Sequence, residues 1–283
     1  MSILVTGLTK SYGDTPVLRG LDLAVAAGEV VALLGPNGAG KTTTIGILTT
    51  LIAADSGTAI VGGYDVAADP QSVRRSISVT GQSVGVDPML TGRENLVMVG
   101  RLRGVGKADA GAGADAALAA FGLEEAGGRT ARTYSGGMRR RLDLALGLLA
   151  DAPVLVLDEP TTGLDTRSRA WVWDRVREAA AAGASVLVTT QYLEEADRLA
   201  DRVVVLDGGV AVADDTPAAL KSSVAAPRLE LVTPSGDVVT HLTDGTVGHI
   251  RDLLAGAPDD ATLTIRTPTL DDVFLELTTE VRS

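Results

Sequence analysis

The sequence predicts an α/β fold: a mixed, mainly parallel sheet core with a helical insert and a small α+β appendix. Three observations carry this. Short apolar runs rich in β-branched residues alternate with helix-length segments, as in a parallel sheet covered on both faces. Residues 88 to 150 show helical periodicity and no strand signal. After Lys221 the composition changes, and strand and helix patterns resume from residue 227.

The elements follow in order. EVVALLG (29–35) is a buried strand closed by Gly, and TTTIGILTTLI after the next turn reads as a helix. The insert holds TGRENLVMVGRLR, ADAALAAFGL and GGMRRRLDLALGLLA. Its segment GVGKADAGAGADAALAA is so rich in Gly and Ala that it reads as loosely ordered. APVLVLDEP (152–160) and ASVLVTT (184–190) are buried strands, separated by the helical RSRAWVWDRVREAAAAG. Trp171 and Trp173 cannot share a face of that helix, and Trp171 is read as packing. RVVVLDGG (202–209) is a fourth strand ending in a hairpin signal. SSVAAP reads as a linker. RLELV, DVVTHL, a helix from Thr246, TLTIRT and the helix TLDDVFLELT complete the appendix.

Composition excludes several classes. The 283 residues carry a net charge of −11, which argues against general binding to nucleic acid, where a basic footprint is needed. A phosphate site must therefore be local and built largely from backbone amides. With no Cys, disulfides and thiolate metal sites are ruled out. No apolar run reaches the roughly 18 residues of a membrane span; LALGLLADAPVLVL is broken by Asp151 and Pro153. MSILVTGLTK is not a signal peptide, so any membrane role must come through a partner.

Three motifs carry chemistry. GPNGAGKTT (Gly35, Pro36, Asn37, Gly38, Ala39, Gly40, Lys41, Thr42, Thr43) is G-x-x-x-x-G-K-T between a strand and a helix. Its glycines let N–H groups close round phosphate oxygens, and the helix N-terminus adds positive potential. Lys41 reaches the β- and γ-phosphates, and Thr42 can ligate Mg²⁺. The alternative, a plain Gly-rich turn, does not account for the lysine and hydroxyl at this spacing. VLVLDEP places Asp158 beside that loop as a Mg²⁺ ligand, with Glu159 positioned to polarise water. YSGGMRRRLDLA lets Ser135, Gly136 and Gly137 open a helix, a further anion-binding terminus; the basic run Arg139–Arg141 reads as a solvated face. These are the parts of a P-loop NTPase.

The order and spacing of these motifs resemble the nucleotide-binding subunit of an ATP-binding-cassette transporter, and within that family the daunorubicin-resistance type of drug exporter ATPase. The resemblance spans the whole chain and divides it into an ATP-binding domain over 1–222, with its helical subdomain near 88–150, and an accessory domain over 227–283. It implies that Tyr12 stacks on adenine and that Gln82 touches Mg²⁺ and senses the membrane partner. It implies that Ser135, Gly136 and Gly137 close over ATP held by a second copy, and that Asp165 makes a dimer contact. Asp158 and Glu159 match a metal ligand and general base. ATP and Mg²⁺ are the implied cofactors, and an ATP-bound homodimer and a separate membrane permease the implied partners, at the cytoplasmic face of the membrane. The implied function is ATP-driven efflux of a hydrophobic, antibiotic-like substrate.

The chain departs from the pattern at Tyr134 and Met138, where many relatives have Leu and Gln, and at Gln191 in VTTQYLEEA, where most have His. His241 and His249, the only histidines, lie in the appendix and are no substitutes. Gln191 either ends a strand or faces the γ-phosphate; the drug-exporter branch also carries Gln here. Three other functions fit the sequence less well. A cassette ATPase of DNA repair or translation needs a coiled-coil insertion or second cassette. A GTPase switch needs N-K-x-D, and neither Asn37 nor Asn95 precedes Lys. A hydrolysis-impaired regulatory module fits poorly with Glu159.

Overall fold

A computed structural model of the chain describes residues 1–81, 85–148, 152–224, 227–233, 238–255, 257 and 260–280. The chain divides into two compact units, Met1–Asp214 and Asp215–Ser283.

Strands β1 (Ile3–Tyr12) and β2 (Thr15–Val25) form an antiparallel hairpin, followed by β3 (Val30–Leu34) and helix α1 (Lys41–Leu48). The helix stops earlier than its threonine-rich sequence suggests, because Thr50 turns left-handed (φ 65°). Then come β4 (Ser56–Val61), β5 (Tyr64–Asp65), α2 (Pro70–Ser76) and β6 (Ile77–Thr80). The insert holds α3 (Gly92–Leu102), α4 (Lys107–Ala120) and α5 (Gly136–Leu148). A capping box starts α3: Thr91 Oγ1 accepts from Glu94 N and Glu94 Oε2 from Thr91 N. The segment expected to be loose is the ordered α4. Each internal Gly costs about 0.5–1 kcal/mol relative to Ala, but burial of Ala110, Ala114, Ala117 and Leu118 against α3 and α5 outweighs that. The unit continues through β7 (Val154–Asp158), α6 (Thr166–Ala181), β8 (Ser185–Thr190), α7 (Leu193–Leu199), β9 (Arg202–Asp207) and β10 (Val210–Asp215). Trp171 packs edge-on against Phe121, with ring centroids 4.6 Å apart.

Six strands form one sheet in the order β10-β9-β3-β8-β7-β6, with parallel pairing from β9 through to β6. Both faces are buried, so side chains alternate between two cores. Leu155, Leu157, Val186 and Val188 face the helical insert and α6. Val154, Val156, Leu187 and Val204 face α1 and a four-stranded sheet, β2-β1-β4-β5. This second sheet is antiparallel and half-exposed, and was not legible from apolar runs.

The second unit contains α8 (Pro217–Val224), β11 (Arg228–Val232), β12 (Val238–Leu242), α9 (Val247–Leu254), β13 (Thr262–Arg266) and α10 (Leu270–Glu280). The segment read as a linker is therefore helical up to Val224. The sheet β12-β11-β13 is antiparallel throughout. Thr246 caps α9 by accepting from His249 N.

Candidate functional site

The site grows from the carboxyl edge of the parallel sheet. Register places Leu34 of β3 opposite Thr190 of β8, and Asp158 of β7 opposite Thr189. Gly35, Glu159 and Gln191 therefore leave the sheet side by side, at the edge where ligands bind in open α/β sheets. A cavity of about 330 Å³ opens there, lined by Val17, Pro36, Asn37, Gly38, Gly40, Lys41, Thr42, Thr43, Asp158 and Glu159.

The loop sequence is dictated by its path. Gly40 has φ 113°, and a Cβ there would lie 2.6 Å from Leu18 Cδ2. At Gly35 a Cβ would meet the Leu206 carbonyl at 2.3 Å. Ala39 faces inward and is buried in the core rather than lining the cavity. The first N–H groups of α1 have no intrahelical partners and point along the helix axis, a ready cradle for anionic oxygens. Lys41 is 7% exposed, and its Nζ folds back to donate to Gly35 O at 2.6 Å and Pro36 O at 3.1 Å. Burial pushes its ammonium below the ordinary value, while the Glu159 and Asp158 carboxylates pull it back up. A cation held on weakly competing carbonyls beside two carboxylates is suited to transfer onto phosphate.

Two carboxylates close the opposite wall. Thr189 Oγ1 donates to Asp158 Oδ1 at 2.5 Å, which orients that side chain. Glu159 takes a left-handed backbone (φ 47°), uncommon for a residue other than Gly. Its N–H donates to Thr189 O at 3.0 Å, and its Oε2 accepts from Thr162 Oγ1 at 3.1 Å. Strained backbone of this kind persists only where the surroundings hold it.

Gln191 is exposed, one residue past β8. It does not cap α7: the N-cap position is Tyr192, without a side-chain cap bond, and Tyr192 N is satisfied by Thr190 Oγ1 at 2.9 Å. Tyr12, at the β1–β2 turn, is 50% exposed, has Lys10 Nζ 5.7 Å from its ring centroid, and does not line the cavity. Ser135, Gly136 and Gly137, at the start of α5, are not among the lining residues, and Ser135 Oγ accepts from Met138 N at 3.3 Å. A Cβ on Gly137 would lie 3.9 Å from Leu164 Cδ2, so this helix start adjoins the loop leading to Asp165. Asp165 caps α6 through Ser168 N at 2.7 Å. Tyr134 is buried and anchors the turn, its hydroxyl donating to Ala126 O at 2.7 Å. Gln82 lies outside the described residues.

The basic run on α5 corrects its reading as a solvated face. Arg140 has a side-chain exposure of 12% and donates into the backbone around Asp158. The sequence carried a signal for its pairing with Asp143, an Arg-x-x-Asp spacing on one helix face, but none for the remote carbonyls. Thr189, Thr190 and the buried Glu195, whose Oε1 accepts from Trp173 Nε1 at 3.1 Å, were likewise not singled out.

A parallel sheet with a Gly-Lys-Thr loop opening a helix, facing an Asp–Glu pair at its carboxyl edge, defines a nucleotide-binding ATPase of the P-loop class. A family model described as ABC transporter matches residues 18–162. The daunorubicin resistance ATP-binding protein DrrA2 of Streptomyces coeruleorubidus is 46% identical over an alignment covering 98% of this chain and 95% of that protein. The Nod factor export ATP-binding protein I of Paraburkholderia xenovorans is 38% identical, covering 95% of this chain and 94% of that one. A solved ATP-binding subunit of an ABC transporter superposes with a TM-score of 0.76 at 26% identity, covering 98% of this chain and 100% of that one. The chain belongs to the ABC transporter family and is an ATP-binding, ATP-hydrolysing subunit of its export type.

Proposed function

We propose that the chain is the motor of an export pump, hydrolysing MgATP to drive a separate membrane permease, with a hydrophobic, drug-like compound as cargo. The observation that carries this is the cavity that gathers Lys41, Thr42, Asp158 and Glu159. The cargo class rests on relatives named for daunorubicin and doxorubicin resistance, DrrA of Streptomyces peucetius being 54% identical over 81% of this chain. Among the described residues no helix is long and apolar enough to cross a membrane, in keeping with a permease on a separate chain.

In this reading the N–H groups of the Gly35–Thr43 loop hold the phosphates and Lys41 neutralises the β- and γ-oxygens. Mg²⁺ would be held by Thr42 and Asp158, with Gln82 the third contact that the family resemblance implies, and would supply charge neutralisation on the phosphates. Among the described residues no three of His, Cys, Asp and Glu converge, so phosphate oxygens would complete the coordination, the usual mode for Mg²⁺. Glu159 accepts the proton of the attacking water. Gln191 donates to a γ-phosphate oxygen, and Tyr12 stacks on the base. Two copies pair head to tail, so that Ser135, Gly136 and Gly137 of one cover the ATP of the other and Asp165 lines the contact. The motor would sit on the cytoplasmic face of the membrane through its permease.

The test is Glu159→Gln. The variant keeps nucleotide binding, loses about 10²–10⁴-fold in turnover, and accumulates as an ATP-bound dimer on size-exclusion chromatography. Turnover at the parent rate would remove Glu159 from the mechanism; a variant that stays monomeric with saturating ATP counts against the paired motor.

A further inference from the structure

We infer that Arg140 is a positioning residue for hydrolysis: its guanidinium holds the backbone turn that aims Glu159. The inference rests on the reading of Glu159 as the general base.

A guanidinium has five N–H donors in a fixed planar fork. At Arg140 each meets an acceptor. Nε donates to Pro160 O at 2.8 Å. Nη1 donates to Gly81 O at 2.7 Å and Asp143 Oδ2 at 3.3 Å. Nη2 donates to Asp158 O at 3.1 Å and Glu159 O at 2.8 Å. Three consecutive carbonyls, 158 to 160, thus converge on one side chain. This is the stretch in which Glu159 adopts its left-handed φ of 47°. A residue in that region needs its neighbours to hold it, and Arg140 takes the three carbonyls that such a turn directs inward.

The clamp is itself fixed. Asp143, 5% exposed at its side chain and one turn along α5, accepts from Gly85 N at 2.9 Å through Oδ1 and from Arg140 through Oδ2. One Arg–Asp pair on α5 therefore ties the residues on both sides of Gln82, namely Gly81 and Gly85, to the Asp158–Pro160 turn. None of these five hydrogen bonds goes to the Gly35–Thr43 loop, so removal of Arg140 should spare nucleotide binding and act on the Asp158–Pro160 turn that carries Glu159. Lys cannot replace it: an ammonium is a compact point charge with three donors and cannot span five acceptors in a plane.

The experiment uses the full chain with Arg140→Gln, Arg140→Lys, Glu159→Gln and the Arg140→Gln, Glu159→Gln double variant. It measures kcat and KM for MgATP, nucleotide affinity, the thermal melt and, for slow variants, release of radiolabelled phosphate. Both Arg140 variants are expected to lose about 10²-fold in kcat, the scale of a 1 Å misplacement, while KM and affinity stay within about threefold. The double variant is expected to turn over no more slowly than Glu159→Gln, because the clamp acts through a carboxylate already gone. Parent-like kcat in Arg140→Gln, an equal loss of ATP affinity, or a double variant slower by the full single-variant factor would each overturn the inference. So would loss of a cooperative melt in both Arg140 variants, which would make Arg140 a folding residue. Parent-like turnover in Glu159→Gln would instead sink the general-base reading, so the two failures are distinct.

Discussion

The hydroxyl of Thr189 donates to Asp158 Oδ1 at 2.5 Å across the parallel pair β7–β8. Thr189 is fully buried, and the same residue accepts the Glu159 N–H on its carbonyl oxygen at 3.0 Å. A strand-end threonine thus sets both carboxylates at once. Thr189→Val keeps the β-branched shape and the backbone acceptor but removes the donor. Loss of a supporting partner to a metal ligand typically costs 10–100-fold in metal affinity or activity. The Mg²⁺ concentration for half-maximal ATPase should rise about 10-fold or more in Thr189→Val. An unchanged Mg²⁺ titration would show that Asp158 needs no such support.

Lys41→Ala removes the only side-chain cation among the residues lining the cavity. With it go the bonds to Gly35 O and Pro36 O and an opposite charge near Asp158 and Glu159. ATP affinity and turnover should both fall by at least about 10²-fold, since a charged hydrogen bond and loop closure are lost together. Isothermal titration with ATP and steady-state ATPase check this; near-parent values in either would contradict the phosphate role of Lys41.

Glu195 gives a pH signature. It is 1% exposed, and burial pushes its carboxyl above the ordinary value of 4.5, with the neighbouring Thr190 and Thr161 hydroxyls and the hydrogen bond from Trp173 opposing only in part. Because the folded state holds this proton more tightly than the unfolded state, stability from this group is present below pH 4.5 and is lost as pH rises through the raised folded value. Glu195→Gln keeps an acceptor for Trp173 and cannot ionise. The Tm difference, variant minus parent, should therefore grow as pH rises from 4.5 through the raised folded value. A pH-independent difference would mean that Glu195 stays in one protonation state throughout.

How much of this was legible depends on locality. The Gly35–Thr43 loop and the strands before Asp158 and Gln191 are written in contiguous residues, so their patterns survive in the sequence. The antiparallel sheet is not: β2 buries its residues irregularly, with bulges where β1 and β2 pair, and so leaves no clean period of two. α4 reads as loose because Gly offsets the helix propensity of Ala and small side chains draw no clear apolar stripe, and its order comes from packing on α3 and α5. Arg140 reads as solvated because nothing in its neighbourhood along the chain reveals carbonyls 18 to 20 residues away, or the Gly81 carbonyl 59 residues away. Side chains that organise the backbone of remote loops become visible only in three dimensions.

The second unit, from Asp215, contributes none of the residues lining the cavity. A chain ending at Asp214 should remain folded by circular dichroism and bind ATP within about threefold of the parent, as expected when no binding contact is removed. Loss of ATP binding in a truncated chain that still shows a cooperative melt would overturn this independence.

The role proposed for Gln191, holding the γ-phosphate, can be tested directly. Register puts it beside Gly35 and Glu159, its side chain is exposed, and Thr190 already satisfies the start of α7. Nothing local therefore requires an amide here. An amide N–H₂ can donate to a phosphate oxygen, and its oxygen can accept in return, but it neither takes up a proton nor gains a positive charge at neutral pH. Gln191→Ala should keep ATP affinity and lose about 10-fold or more in turnover, the equivalent of one charge-assisted hydrogen bond of about 1.5–3 kcal/mol in the transition state. Gln191→His should retain activity and add a titration near the imidazole value of about 6.5 that the parent lacks, so the His-to-parent rate ratio changes across that pH. Steady-state ATPase of the three proteins over a pH series, alongside a binding assay, separates the effects. If the Ala variant turns over at the parent rate with its permease present, Gln191 is a strand end and the γ-phosphate is held by Lys41 and the loop alone.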